Sequence, residues 1–251
     1  METLSLEGKV ALVTGAGRNI GRAIALALAA VGAAVVVNAR ANRAEIDAVA
    51  REIEAAGGQA LALLADVADA GAVQGMVGAA IERFGRIDIL VNNAALRRES
   101  PLEAMAAAEW REVIATILDG AFFCAQASVP YLRQSGAGAI VNIGGLTGHT
   151  GARNRVHVVA AKAGLSGLTR ALAQELAPDN ITVNCVSPGL IETARGGANT
   201  PNPDHHRTSR NVVGRRGTPE EVAAAVLYLC GPGARYVTGQ TLPVNGGAWM
   251  G

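Results

Sequence analysis

Residues able to do chemistry are concentrated at a few places, and the clearest is Thr14-Gly15-Ala16-Gly17-Arg18-Asn19-Ile20-Gly21. Glycines so closely spaced let the backbone turn tightly and approach a phosphate, whose charge the start of a following helix stabilises. The spacing is TGxxxGxG with Asn19 in the middle glycine's place; it is not GxGxxG, because Ile20 stands where that pattern has its third glycine. Asn suits the exchange, since it enters the left-handed region more readily than most residues. A second such stretch, 191–218, carries Gly, Pro, Asn, several Arg and the pair His205-His206 without a clean period. A loop that long is expected to be functional, as a lid over a site. Cys124, Cys185 and Cys230 are too few and too scattered for a disulfide framework or a zinc site, so buried thiols and no metal are expected.

The phosphate-binding reading requires a strand before the glycines and a helix after them. Strand-like apolar runs occur at Val10–Thr14, Ala34–Asn38, Ala60–Leu64, Ile87–Val91, Ala139–Ile143, Thr182–Val186 and Thr241–Val244. Helical period occupies Ile20–Val31, Arg43–Ala56, Ala70–Phe84, Ala107–Val129, Asn154–Leu176 and Pro219–Leu229. Alternation of this kind predicts an α/β protein, a Rossmann-type doubly wound parallel sheet with helices on both faces. All-apolar strands such as VALV and AVVV fit burial on both sides. One dinucleotide-binding domain over 1–251 is expected, with no repeat and no linker.

Composition narrows the function further. The 251 residues carry 22 basic and 21 acidic side chains, a formal charge of +1, so neither nucleic acid nor an acidic membrane is an expected partner. Half the residues are hydrophobic and 17% charged, which excludes a disordered chain. The N-terminus lacks the layout of a secretory signal, and the apolar stretch from Ala23 to Ala39 contains Gly32 and falls short of the ~20 residues a membrane span needs. A cytoplasmic protein acting on a small molecule is the expectation.

TGxxxGxG, Asp66-Val67, Asn92-Asn93-Ala94-Ala95, Ser187-Pro188-Gly189 and the ending TGQTLPVNGG together resemble the short-chain dehydrogenase/reductase family, nearest its ketoacyl-carrier-protein-reductase-like branch. The resemblance runs from about Leu6 to Gly247. It implies a seven-stranded sheet, one nicotinamide cofactor and a homotetramer built on two long helices. It also implies that Gly15, Arg18, Asn19, Ile20 and Gly21 hold the pyrophosphate. Asp66 and Val67 would meet the adenine, Asn92 and Ala94 the adenosine side, and Pro188, Gly189, Ile191 and Thr193 the nicotinamide side. NAD-binding members have an acidic residue after the second strand; here Ala39 is aligned with it, followed by Arg40. Arg40, helped by Arg18, suits a 2′-phosphate, which favours NADP over NAD.

Members of the family use a Ser, a Tyr and a Lys, commonly joined by an Asn, to exchange a proton and a hydride with a carbonyl or alcohol. Lys162 matches the lysine, which would also grip the ribose. Only Lys9 and Lys162 are lysines among the 22 basic residues, so a lysine kept on that helix suggests a task an arginine cannot perform. The other positions align with Gly145 for Ser, Val158 for Tyr and Ile117 for Asn. None of these side chains moves a proton. The standard mechanism is therefore not expected. Thr147, His149 and His157 are the candidate replacements, although His157 is rotated by about 100° from Val158 on a helix. Arg153 and Arg155 could bind an anionic substrate. Three readings stand: an NADP-dependent oxidoreductase with altered proton delivery, acting on a carbonyl, imine or enone; a non-redox enzyme or inactive cofactor-binding protein; and a purely structural partner subunit.

Overall fold

The computed structural model describes residues 4–193 and 211–251. Among them, seven strands form one sheet in the order β3-β2-β1-β4-β5-β6-β7, every neighbouring pair parallel. These are β1 (Val10–Val13), β2 (Ala34–Ala39), β3 (Ala60–Leu64), β4 (Ile89–Asn92), β5 (Ala139–Ile143), β6 (Thr182–Pro188) and β7 (Thr241–Val244). The helices are α1 (Asn19–Ala30), α2 (Arg43–Ala55), α3 (Ala70–Phe84), α4 (Ala107–Ile114), α5 (Gly120–Gln134), α6 (Thr147–Thr150), α7 (Val156–Leu176) and α8 (Pro219–Cys230).

Both sheet faces are covered, and that is why β1, β4, β5 and β6 are buried along their whole length. On one face Ile24 and Leu28 of α1 pack with Val222 and Val226 of α8. On the other, Val73 and Val77 of α3, Cys124 and Leu132 of α5, and Leu176 of α7 form a second layer. Strand order reverses between β1 and β4, which opens a crevice at the carboxyl ends of the strands, where α/β proteins place ligands.

The amino edge is closed by charge. Asp88, 1% exposed, accepts from Lys9 Nζ at 3.1 Å, Arg86 Nη2 at 2.6 Å and the Val10 N–H at 2.9 Å. Burial opposes its ionisation, but these donors outweigh burial and hold the carboxyl below its usual range. One of the two lysines is thereby accounted for.

Two elements differ from the sequence pattern. The expected continuous helix over 107–129 is split by a π turn at Ala115–Asp119 and runs on through Pro130 to Gln134. The wide turn sets Ile117 inward at 2% exposure and lets Gly120 approach Val67, which a Cβ there would meet at 2.7 Å. The stretch after β5, expected as irregular chain, winds into α6. All three cysteines are buried and free; burial pushes Cys124 and Cys230 up to about 12.

Candidate active site

The glycine loop leaves β1 and enters α1 through backbone that only small or permissive residues adopt. Gly15 (φ +61°) and Asn19 (φ +51°) both lie in the left-handed region. A Cβ on Gly21 would stand 2.3 Å from the Gly15 carbonyl oxygen, and one on Gly15 would stand 2.9 Å from Ala94 Cα. Among the described residues no side chain caps the first turn of α1, which also has no acidic residue. A helix start of this kind suits an anion, whereas α2, α3 and α8 are capped by Asn42, Asp69 and Thr218. This loop fits a dinucleotide pyrophosphate.

Side chains of the motifs and of β2, to which the sequence assigned no bracing role, hold the loop. Asn93 Nδ2 donates to the carbonyls of Thr14 and Gly15, both at 2.9 Å. Thr14 Oγ1 accepts from the N–H groups of Asn93 at 3.0 Å and Ala94 at 3.1 Å. Asn38, at the end of β2, accepts from Gly15 N at 3.4 Å and donates to Ala65 O at 3.1 Å. Asn92 is turned inward, donating to Ala121 O at 3.3 Å and Asn142 Oδ1 at 2.9 Å; Asn142 in turn donates to Thr169 Oγ1 at 2.9 Å. Both asparagines lie in recognisable motifs, but only the fold reveals what they hold.

Beside the cradle, Arg18 is exposed and Arg40 forms an ion pair with Glu112 at 3.4 Å, a carboxylate that also pairs with Arg98 at 2.7 Å. Asp66 accepts the Ala68 N–H at 3.0 Å on one oxygen, and Val67 is buried beside it. Across the crevice, Gly189 passes so close to Asn245 that a Cβ would meet its Cα at 2.7 Å. Ile191 forms a parallel bridge with Gly217, and Thr193 Oγ1 accepts from Arg97 at 3.4 Å. Residues 194–210 of the expected lid, with His205 and His206, lie outside the described residues.

Lys162, half-buried on α7, donates to the Ile143 carbonyl at the end of β5 at 2.5 Å. Burial pushes its pKa from 10.5 down to about 8; the Cys185 sulfur opposes this, and the guanidinium groups of Arg97 and Arg155 add to it. One turn before Lys162, Val158 shares an apolar cluster with Ile117, Val113, Ala121, Ala161 and Leu165. A Cβ on Gly145 would meet nothing within 4 Å among the described residues. His157 is fully buried, its Nε2 3.2 Å from Glu109 Oε1, so its ring belongs to the α4–α7 seam. His149 stacks on Trp249 of the C-terminal segment, centroids 4.4 Å apart with planes inclined by 15°. Thr147 opens α6 and is partly exposed. Lys162, not a histidine, is thus the ionisable group held at the end of β5.

A family profile described as enoyl-(acyl carrier protein) reductase matches residues 15–248. A 3-oxoacyl-(acyl-carrier-protein) reductase FabG of Staphylococcus aureus is 41% identical over 242 residues, covering 96% of this chain and 98% of its own. A 3-oxoacyl-(acyl-carrier-protein) reductase of Synechocystis is 42% identical over 248 residues, covering 98% and 99%. Among solved structures, a dehydrogenase/reductase from Sinorhizobium meliloti superposes with a TM-score of 0.91 at 38% identity, covering 98% and 97% of the two chains. A short chain dehydrogenase from Burkholderia cenocepacia in complex with NADP gives a TM-score of 0.90 at 36% identity, covering 97% and 98%.

Proposed function

Because the chain belongs to the short-chain dehydrogenase/reductase family, we propose that it is an NADP-dependent oxidoreductase of small carbonyl, imine or enone compounds whose proton is handled by Lys162. Gly15, Arg18, Asn19, Ile20 and Gly21 would hold the pyrophosphate, and Arg18 with Arg40 the 2′-phosphate. Asp66, Val67, Asn92 and Ala94 would flank the adenosine, and Pro188, Gly189, Ile191 and Thr193 the nicotinamide end. The cofactor, when bound, supplies hydride chemistry. The observation that carries this reading is the placement of Lys162, whose Nζ is held by the Ile143 carbonyl at the end of β5; burial there lowers its pKa to about 8, which makes it a better acid than an ordinary lysine.

In this mechanism Gly145, Val158 and Ile117 stand where the family has Ser, Tyr and Asn. The ammonium gives its proton to the substrate oxygen or nitrogen as negative charge develops there. The neutral amine left behind is reprotonated from solvent. Burial of the amine keeps its pKa low. Thr147, on the turn packed against Lys162, can donate a hydrogen bond to the same oxygen. His149 and His157 are placed less well, the first against Trp249 and the second against Glu109.

A second reading, a non-redox or inactive cofactor-binding protein, draws support from Val158 and Ile117 filling one apolar cluster. Fluorescence titration with NADPH and NADH separates the possibilities first: binding of NADPH is expected, and failure of both to bind removes the oxidoreductase reading. Consumption of NADPH across carbonyl, imine and enone panels follows; silence in a protein that binds NADPH leaves the second reading. We also place the protein in the cytoplasm as a homotetramer. Exposed Trp110 of α4 and Phe122 of α5 offer apolar contact on the helices the family pairs, and sedimentation tests this assembly.

A further inference from the structure

We propose that Glu112 lowers the preference for NADP over NAD by engaging Arg40 at the adenosine end of the crevice, and that Arg98 offsets it by drawing the same carboxylate away. This rests on the reading of Arg40 as the partner of the 2′-phosphate and adds two specificity-determining residues that act through it.

Three side chains from three segments meet at this point. Arg40 follows the end of β2, Arg98 lies on the chain between β4 and α4, and Glu112 is on α4. Glu112 Oε1 accepts from Arg40 Nη1 at 3.4 Å, while its Oε2 pairs with Arg98 Nη2 at 2.7 Å. The shorter contact is the stronger, so Arg98 holds the carboxylate firmly and Arg40 only loosely. All three side chains reach solvent, and exposed pairs of this kind exchange partners at little cost. Two close approaches set the triad beside the cradle. Gly120, just past the π turn that continues α4, packs on Val67, and Ala94, four residues before Arg98, packs on Gly15 of the phosphate loop.

NADP and NAD differ at this end by one phosphate, which carries close to two negative charges. A guanidinium has five N–H donors in a fixed fork, and Arg40 directs one of them at Glu112. A 2′-phosphate taken up by the same fork therefore stands one guanidinium away from a carboxylate. Repulsion between the two anions opposes the phosphate, and NAD, without that charge, meets none of it. Arg98 relieves part of the repulsion by neutralising Glu112. Glu112 thus works against Arg40, and Arg98 against Glu112.

Fluorescence titration of the full-length protein with NADPH and NADH tests this in Glu112→Gln, Arg98→Met and the double variant. Glu112→Gln is expected to bind NADPH about three- to tenfold more tightly, with NADH affinity held within about twofold. Arg98→Met is expected to weaken NADPH by about threefold, and to lose most of that effect once residue 112 is Gln, because it acts through the carboxylate. The gain in Glu112→Gln should shrink in about 0.5 M salt, which screens exposed charges. Unchanged or weaker NADPH binding by Glu112→Gln, an equal gain for NADH, or an Arg98 effect undiminished in the double variant would overturn the proposal. A parent protein that binds neither cofactor sinks the oxidoreductase reading and this proposal together. A parent that binds NADPH without responding to Glu112→Gln sinks this proposal alone.

Discussion

Two regions at the carboxyl edge of one sheet are built on opposite principles. In the phosphate loop, close backbone approaches at Gly15 and Gly21 are locked by polar side chains, Thr14, Asn38 and Asn93, each with its hydrogen bonds made inside the protein. The first turns of α7 and the π turn form the other region, where Val158 and Ile117 share an apolar cluster and Lys162 donates to the Ile143 carbonyl. The cradle has almost no room for change. The reacting centre has room at Gly145 and an adaptable apolar floor. The two regions can therefore vary independently within one fold.

The largest effect expected from attacking this contrast is at the cradle. Gly21→Ala places a methyl 2.3 Å from the Gly15 carbonyl, backbone that cannot step aside. NADPH affinity, read by fluorescence, should fall by about 100-fold or more, the equivalent of about 2.7 kcal/mol, while circular dichroism stays native. Retained affinity would mean that the loop is not the binding site.

At the reacting centre, Lys162→Met should slow NADPH-dependent reduction by about 10²–10⁴. The parent enzyme should slow as pH rises through about 8, because the acid is then lost, and the variant should show no such step. Stability gives an independent reading. The folded-state pKa lies below the unfolded value, so the unfolded chain binds more protons between the two, and the parent should gain stability relative to Lys162→Met from about pH 8 to 10.5. A flat difference across that window would contradict a desolvated ammonium.

Introducing hydroxyls tests the contrast from the other side. Gly145→Ser enters open space and should change stability by no more than about 0.5 kcal/mol. Val158→Tyr overfills a packed cluster and should cost about 1–3 kcal/mol by urea denaturation. The double variant should gain reduction of ordinary ketones; a folded, NADPH-binding double variant without it would argue against the alignment of these positions. A modest effect is expected at the edge of the cradle. Arg40→Ala removes an exposed cation already shared with Glu112 and should reduce the NADPH-over-NADH preference by about tenfold.

Much of this was legible in the residue order. Alternating strand and helix patterns located the strands to within one or two residues, because parallel strands buried on both faces must be continuously apolar. The glycine loop was legible because backbone that close to itself excludes side chains, and Asn19 in the left-handed region agrees with the reason given for its place in the motif. The π turn was not: a single widened turn leaves the apolar period of 107–129 almost unchanged. Helix α6 was hidden too, since Thr-Gly-His-Thr has weak helical propensity and is held by contact with α7 and the C-terminal segment.

Covalent sequence determined the architecture, the phosphate loop and the presence of a lysine on α7 in a chain whose other basic residues, Lys9 apart, are arginines, because each depends on local pattern or residue type. Tertiary structure decided which groups share an environment. It sent His157 to Glu109, stacked His149 on Trp249, clamped the loop with Asn93, and brought Arg97 and Arg155 to bear on Lys162. Such meetings depend on segments far apart in the chain, and the electrostatic character of a site is a property of distances that exist only once the sheet has closed.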